Sequence, residues 1–154
     1  MPTGHISSSI PKKILLPTDF SPSSHAALEI AADLALHFHA ELYLLHVIHK
    51  LPIVSGADFF AETEVFQKTK RNAEDSLAAW DATLTAKGIS VTRRVEASND
   101  VVASILGEIE REHADMLVLS THGMSGWRPL VFGSIAEKIV RVVECPLLLL
   151  RSAK

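Results

Sequence analysis

The sequence predicts an α/β fold: five strands in a parallel, doubly wound sheet with helices on both faces. Two observations carry that expectation. The runs Ile14-Leu15-Leu16, Glu41–Ile48 (ELYLLHVI), Met116–Leu119 and Leu147–Leu150 are apolar on both sides, as strands covered on two faces must be. Between them lie stretches whose apolar residues recur at helical spacing. Strands alternating with helices require right-handed crossovers and a parallel sheet between helix layers.

Taken in order, residues 1–10 read as a flexible N-terminal segment, leaving 11–154 as a single domain. Lys12–Pro17 is the first strand, ended by Pro17-Thr18-Asp19. Ser21-Pro22 is a helix start, with an N-cap serine and proline at the first helical position. Apolar residues or alanines at 26, 27, 30, 31, 34, 35 and 38 give that helix one buried face, and it stops around His37–His39. Glu41–Ile48 is the second strand. A loop with Pro52 and Gly56 follows. A long helical pattern then runs from about Phe59 to Lys87 and ends at Gly88, a glycine placed to cap it. Ile89–Ala97 alternates at Val91, Arg93 and Val95, the pattern of a less buried edge strand. Ser98-Asn99-Asp100 caps a helix with apolar positions 101, 102, 105, 106 and 109. Met116–Leu119 is the fourth strand, Ile135–Val143 the last helix and Pro146–Leu150 the fifth strand.

Composition narrows the function. Of 154 residues, 47% are apolar and 21% charged, which predicts a packed domain and not a disordered chain. A formal net charge of −3 argues against nucleic acid as the main partner, since binding a phosphate backbone needs a basic face. No apolar run reaches the ~18 residues of a membrane span, and the N-terminal stretch lacks the apolar core of a secretory signal. The single cysteine, Cys145, excludes an intrachain disulfide and suits a reducing cytoplasm. Its place before Pro146 reads as a buried small hydrophobe and not a redox thiol.

The chemistry concentrates between Asp115 and Ser134. Strand, glycine-bearing loop and helix start follow one another there, an arrangement that binds phosphate through free N–H groups and the helix dipole. Gly123 and Gly133 allow close approach of backbone to a ligand, and the Ser134 hydroxyl offers a further donor. A second reading fits the same residues: Ser134-Ile135-Ala136-Glu137 matches the capping box, in which the helix end satisfies itself.

The spacing Ser120-x-x-Gly123, nine residues, Gly133-Ser134 is similar to the nucleotide motif of the universal stress protein family, G-x-x-G, nine residues, G-[ST], with serine replacing the first glycine. Lys13–Ser21 (KILLPTDFS) and Cys145–Leu150 (CPLLLL) resemble that family too, so the likeness covers Pro11 to Arg151 in order. The resemblance implies the strand order 3-2-1-4-5, which brings Thr18-Asp19 and Ser120–Gly123 to one crevice at the topological switch point. It implies an adenine nucleotide, ATP or AMP, with Asp19 on the base or ribose and Val47 lining the adenine. Pro17, Thr18, Leu119, Ser120, Gly123, Gly133, Ser134, Ile135 and Ala136 complete the implied site. The Cβ and hydroxyl of Ser120 either crowd the ribose or add a hydrogen bond to it. Without a ligand, Asp19 has another role open to it, as a turn residue capping the backbone ahead of the helix. The resemblance also implies a homodimer, the last strand pairing antiparallel with its copy and so covering an apolar edge.

Histidines 37, 39, 46 and 49 cluster in sequence, but they straddle a helix end and a strand. No cysteine pair and no H-E-x-x-H accompany them, so no dedicated metal site is expected. Any Mg²⁺ is expected to arrive with the phosphates. His122 stands alone in the loop: G-x-S-x-G, Walker A and G-x-G-x-x-G after the first strand are all absent. No catalytic residues are assigned, and any ATP hydrolysis is expected to be slow. Trp127 and Phe132 read as cover for the loop. Two rival functions remain: an interaction protein of the same fold with an empty site, and a slow nucleotide hydrolase.

Overall fold

A computed structural model describes residues 10–50, 57–121 and 133–151, apart from the side chains of 57–59. The chain order is β1 (Lys13–Pro17), α1 (Pro22–Phe38), β2 (Glu41–Ile48), α2 (Ala57–Ala86), β3 (Val91–Ala97), α3 (Val101–Glu112), β4 (Met116–Ser120), α4 (Ser134–Val142) and β5 (Leu147–Leu150). The strands form one parallel sheet in the order β3-β2-β1-β4-β5. The alternating strand β3 is at an edge, as expected. The expectations for residues 1–9, Pro52, Gly56, His122, Gly123, Trp127 and Phe132 lie outside the described residues.

Local chemistry explains the element ends. Ser21, extended at φ −66° and ψ 162°, accepts from Ser24 N–H at 3.2 Å, and Pro22 opens α1. Asp100 caps α3 by accepting from Ala103 N–H at 2.9 Å. Gly88 at φ 87° turns the chain out of α2. The strand expected from Ile89 begins only at Val91. Ile89 belongs to the helix cap: its N–H reaches back to Leu84 C=O at 3.2 Å and its side chain is buried. The last helix starts at Ser134 and the last strand at Leu147, although Pro146 C=O still accepts from Leu117 N–H at 2.9 Å.

Two apolar layers hold the sheet. On one face Ala27, Ala31, Ala32 and Ala35 of α1 and Leu77 and Leu84 of α2 pack on Ile14, Leu16, Leu42 and Leu44. On the other, Ile105 of α3 and Ala136 and Ile139 of α4 pack on Leu15, Leu45, Leu117 and Leu119. Half-buried Cys145 joins this second layer, and burial pushes its thiol pKa up, as a packing cysteine requires.

Among the described residues, one charge is buried in that layer. Glu108 of α3 is 1% exposed and accepts from the Tyr43 hydroxyl of β2 at 2.7 Å. Arg94 of β3 lies 3.3 Å from its other oxygen, which Arg111 also bonds. Two cations and a phenol thus satisfy the carboxylate, and the cluster ties α3 to two strands. Burial, with help from the charge of Glu112, raises the Tyr43 pKa above its ordinary 10.0, although Arg111 and Arg94 oppose the shift. Folding therefore holds the phenol proton more tightly. That contribution to stability is full below the ordinary pKa and is lost as pH rises through the folded value. Tyr43 is the only tyrosine. The tyrosinate absorbance of the native protein should accordingly titrate above pH 10.0, and in concentrated guanidinium return to about 10.

Candidate functional site

Beyond the carboxyl ends of β1, β2 and β4 lies a cavity of about 460 Å³. It exists because β1 stops before its neighbours. Thr18 N–H makes a last rung to Leu45 C=O at 2.8 Å, so Pro17 presents its nitrogen to the β4 side. A proline has no N–H to give there, and the paired register with β4 reaches only Leu15–Leu117. On the β2 side, successive residues alternate in direction: Ile48 C=O accepts from Ser98 beside β3, so Val47 directs its main chain toward β1. By then β1 has turned away, and Val47 faces the gap.

The turn that replaces the strand is tightly held. Asp19 Oδ1 accepts from Ser21 N–H at 3.0 Å and from the Ser24 hydroxyl at 2.6 Å. Thr18 Oγ1 accepts from Phe20 N–H at 3.0 Å, and Phe20 adopts a left-handed φ of 61°. The capping role open to Asp19 is therefore real, and the same residue lines the cavity.

Across the gap stands the N-terminus of α4. The capping box does not form. Gly133 is the N-cap, no side chain among the described residues caps the helix, and Glu137 instead pairs with exposed Arg141 at 2.9 Å. The box fails because Ser134 is already the first helical residue, one position too far along to act as the cap. The N–H groups of Ser134, Ile135 and Ala136 have no intrahelical acceptor, and all three residues line the cavity. Gly133 N–H donates to Thr121 C=O at 2.7 Å, and a Cβ at Gly133 would stand 3.0 Å from that oxygen. A side chain there would crowd that carbonyl, so the close approach favours glycine.

The structure brings together Pro17, Thr18, Asp19, Val47, Leu119, Ser120, Gly133, Ser134, Ile135 and Ala136 around this cavity. Gly123 lies outside the described residues. Sequence reasoning missed Ser24, Leu45, His49, Val101, Ile105 and Thr121, which also line it. Val101 and Ile105 carried a signal, their i, i+4 spacing on α3, but it read as core. Of the clustered histidines only His49 reaches the cavity. His37 packs edge-on against Phe38, His39 is the left-handed C-cap of α1, and His46 bonds Thr18. Among the described residues no group of three His, Cys, Asp or Glu is placed to hold a metal ion. No helix among them is long and apolar enough to cross a membrane.

The parallel order, the crevice at the switch point and the uncapped helix tip define a doubly wound α/β domain with a ligand-sized hollow. The profile of the Universal stress protein family matches residues 11–151, and the chain belongs to that family. A relative, Universal stress protein MJ0531 of Methanocaldococcus jannaschii, is 28% identical over 144 residues, 93% of this chain and 84% of its own length. The solved structure of MJ0577 from the same organism superposes with a TM-score of 0.83 at 26% identity, covering 95% of this chain and 99% of that one. Two more distant structures share the fold. One is a universal stress protein in complex with cAMP (TM-score 0.63, 19% identity, 93% and 98% covered). The other, from Archaeoglobus fulgidus, is in complex with dAMP (TM-score 0.64, 15% identity, 92% and 98% covered).

Replacing Asp19 by alanine removes the acceptor for Ser21 and Ser24 ahead of α1. Urea unfolding should show a loss of about 1 kcal/mol with an unchanged slope.

Proposed function

We propose that this protein binds an adenine nucleotide, ATP or AMP, in the cavity at the carboxyl ends of β1, β2 and β4. One observation carries the reading: the Asp19 turn and the uncapped tip of α4 line the same hollow of about 460 Å³. That volume falls in the ~300–1,000 Å³ range of small-molecule sites. In this reading the base lies against Val47, with Leu45, Val101 and Ile105 as its apolar wall, and Asp19 accepts from base or ribose. The ribose passes Leu119 and Ser120. The phosphates meet the N–H groups and dipole of Ser134–Ala136, with Gly133 giving them room. Gly123 and the backbone of Pro17 and Thr18 complete the site, and Mg²⁺ is held through the phosphates. The cAMP and dAMP complexes of the two distant relatives support an adenylate over other anions.

The proposed activity is binding, with hydrolysis at most slow. Asp19 is the one carboxylate on the described wall, and its Oδ1 already serves Ser21 and Ser24. Residues 11–154 act as a single domain, in the cytoplasm, as a stress-response or regulatory module. Isothermal calorimetry with AMP, and with ATP and Mg²⁺, should give saturable heat. Gly133→Ala should weaken it about tenfold, ~1.4 kcal/mol, by driving α4's tip from Thr121. No heat at millimolar ligand would refute the reading.

The assembly proposed is a homodimer. At the sheet edge β5 pairs with β4 alone among the described strands, and its four leucines are only partly buried. Antiparallel pairing of β5 with its copy would remove that apolar edge. Light scattering at micromolar concentration should return twice the chain mass of 16.8 kDa.

A further inference from the structure

We propose that His46 is a positioning residue for this site, holding the Thr18–Phe20 turn from the opposite face of the sheet so that Asp19 faces the cavity. The inference rests on the adenylate reading above. Strand alternation puts Leu45 and Val47 on the cavity face of β2 and His46 on the face covered by α1 and α2. From there its Nδ1 lies 2.7 Å from Thr18 C=O. A carbonyl only accepts, so Nδ1 carries the proton. In an unbroken parallel ladder Thr18 C=O would take the next rung from β2, the N–H of Val47. The imidazole takes that place. It satisfies the carbonyl while the main chain swings off the ladder and leaves Val47 facing the gap.

The same ring supports the next residue but one. Phe20 holds a backbone conformation that residues other than glycine seldom adopt. Its ring lies on the imidazole, centroids 4.6 Å apart, with the edge of Trp80 at 5.3 Å beyond. His46 therefore grips both neighbours of Asp19, one by hydrogen bond and one by ring contact, without reaching the ligand itself.

Two variants separate the hydrogen bond from the bulk of the side chain. Asparagine can place an N–H donor where Nδ1 stands; leucine fills the space and offers none. By calorimetry with AMP, His46→Leu should bind about tenfold more weakly, the worth of one hydrogen bond, and His46→Asn within about twofold of the unaltered protein. Thermal melts should show both variants folded. Long-range ¹H–¹⁵N spectra of the unaltered protein should show the neutral ring protonated on Nδ1. Unchanged affinity in His46→Leu, or equal loss in both variants, would overturn the inference alone, since the unaltered protein still binds. Absence of AMP binding by the unaltered protein would overturn the adenylate reading and this inference with it. Should His46→Leu not fold, the tautomer and His46→Asn decide, a proton on Nε2 counting against the proposal.

Discussion

The cavity depends on one constraint: the central strand of the sheet ends before its neighbours do. β1 has five residues and β2 eight, and their amino ends are aligned, Lys13 opposite Glu41. Everything past Leu45 on β2 therefore has no strand beside it on the β1 side. Pro17 ends the ladder toward β4 for lack of an N–H, and Thr18 ends it toward β2 by giving its carbonyl to an imidazole. A sheet whose middle is cut short at one end must have a hollow there. Backbone groups that line such a hollow are left to a ligand or water to satisfy.

The two helix layers define its walls. On the side of α1 and α2 the seam is alanine against leucine, which lets α1 lie close under β1 and β4. On the other side α3 contributes Val101 and Ile105 to the wall, and Glu108 two turns along holds that helix against β2 and β3. A buried carboxylate met by a phenol and two guanidinium groups accepts few alternative geometries. The rotation of α3, and with it the placing of its two wall residues, is set by that cluster.

Electrostatics at the two ends of the hollow are opposite in kind. At the β1 end stands the carboxylate Asp19, bound by local donors; at the α4 end stand main-chain N–H groups and the positive end of a helix dipole. A ligand with donors at one end and negative charge at the other matches that polarity. A nucleoside phosphate is such a molecule.

Much of this was legible in the residues. Apolar runs without alternation, serine and aspartate caps, Gly88 past α2 and the polar alternation of β3 are local signals, each decided within a few positions of chain. Gly123, Gly133 and Ser134 stood out from the strand-loop-helix pattern, but strand order and the other site residues came from resemblance to a family, since periodicity does not rank strands in a sheet. Only the tertiary structure could decide between the two readings of Ser134, because a capping box and a free helix tip share one sequence and differ in where the first turn begins. Only it could turn Val101 and Ile105 from core positions into a wall, or join His46 to Thr18 across 28 residues of chain. The physical reason is register. Local propensity sees a residue's neighbours, whereas a site is made by which face each strand presents to the next, and one residue of slip would exchange them all.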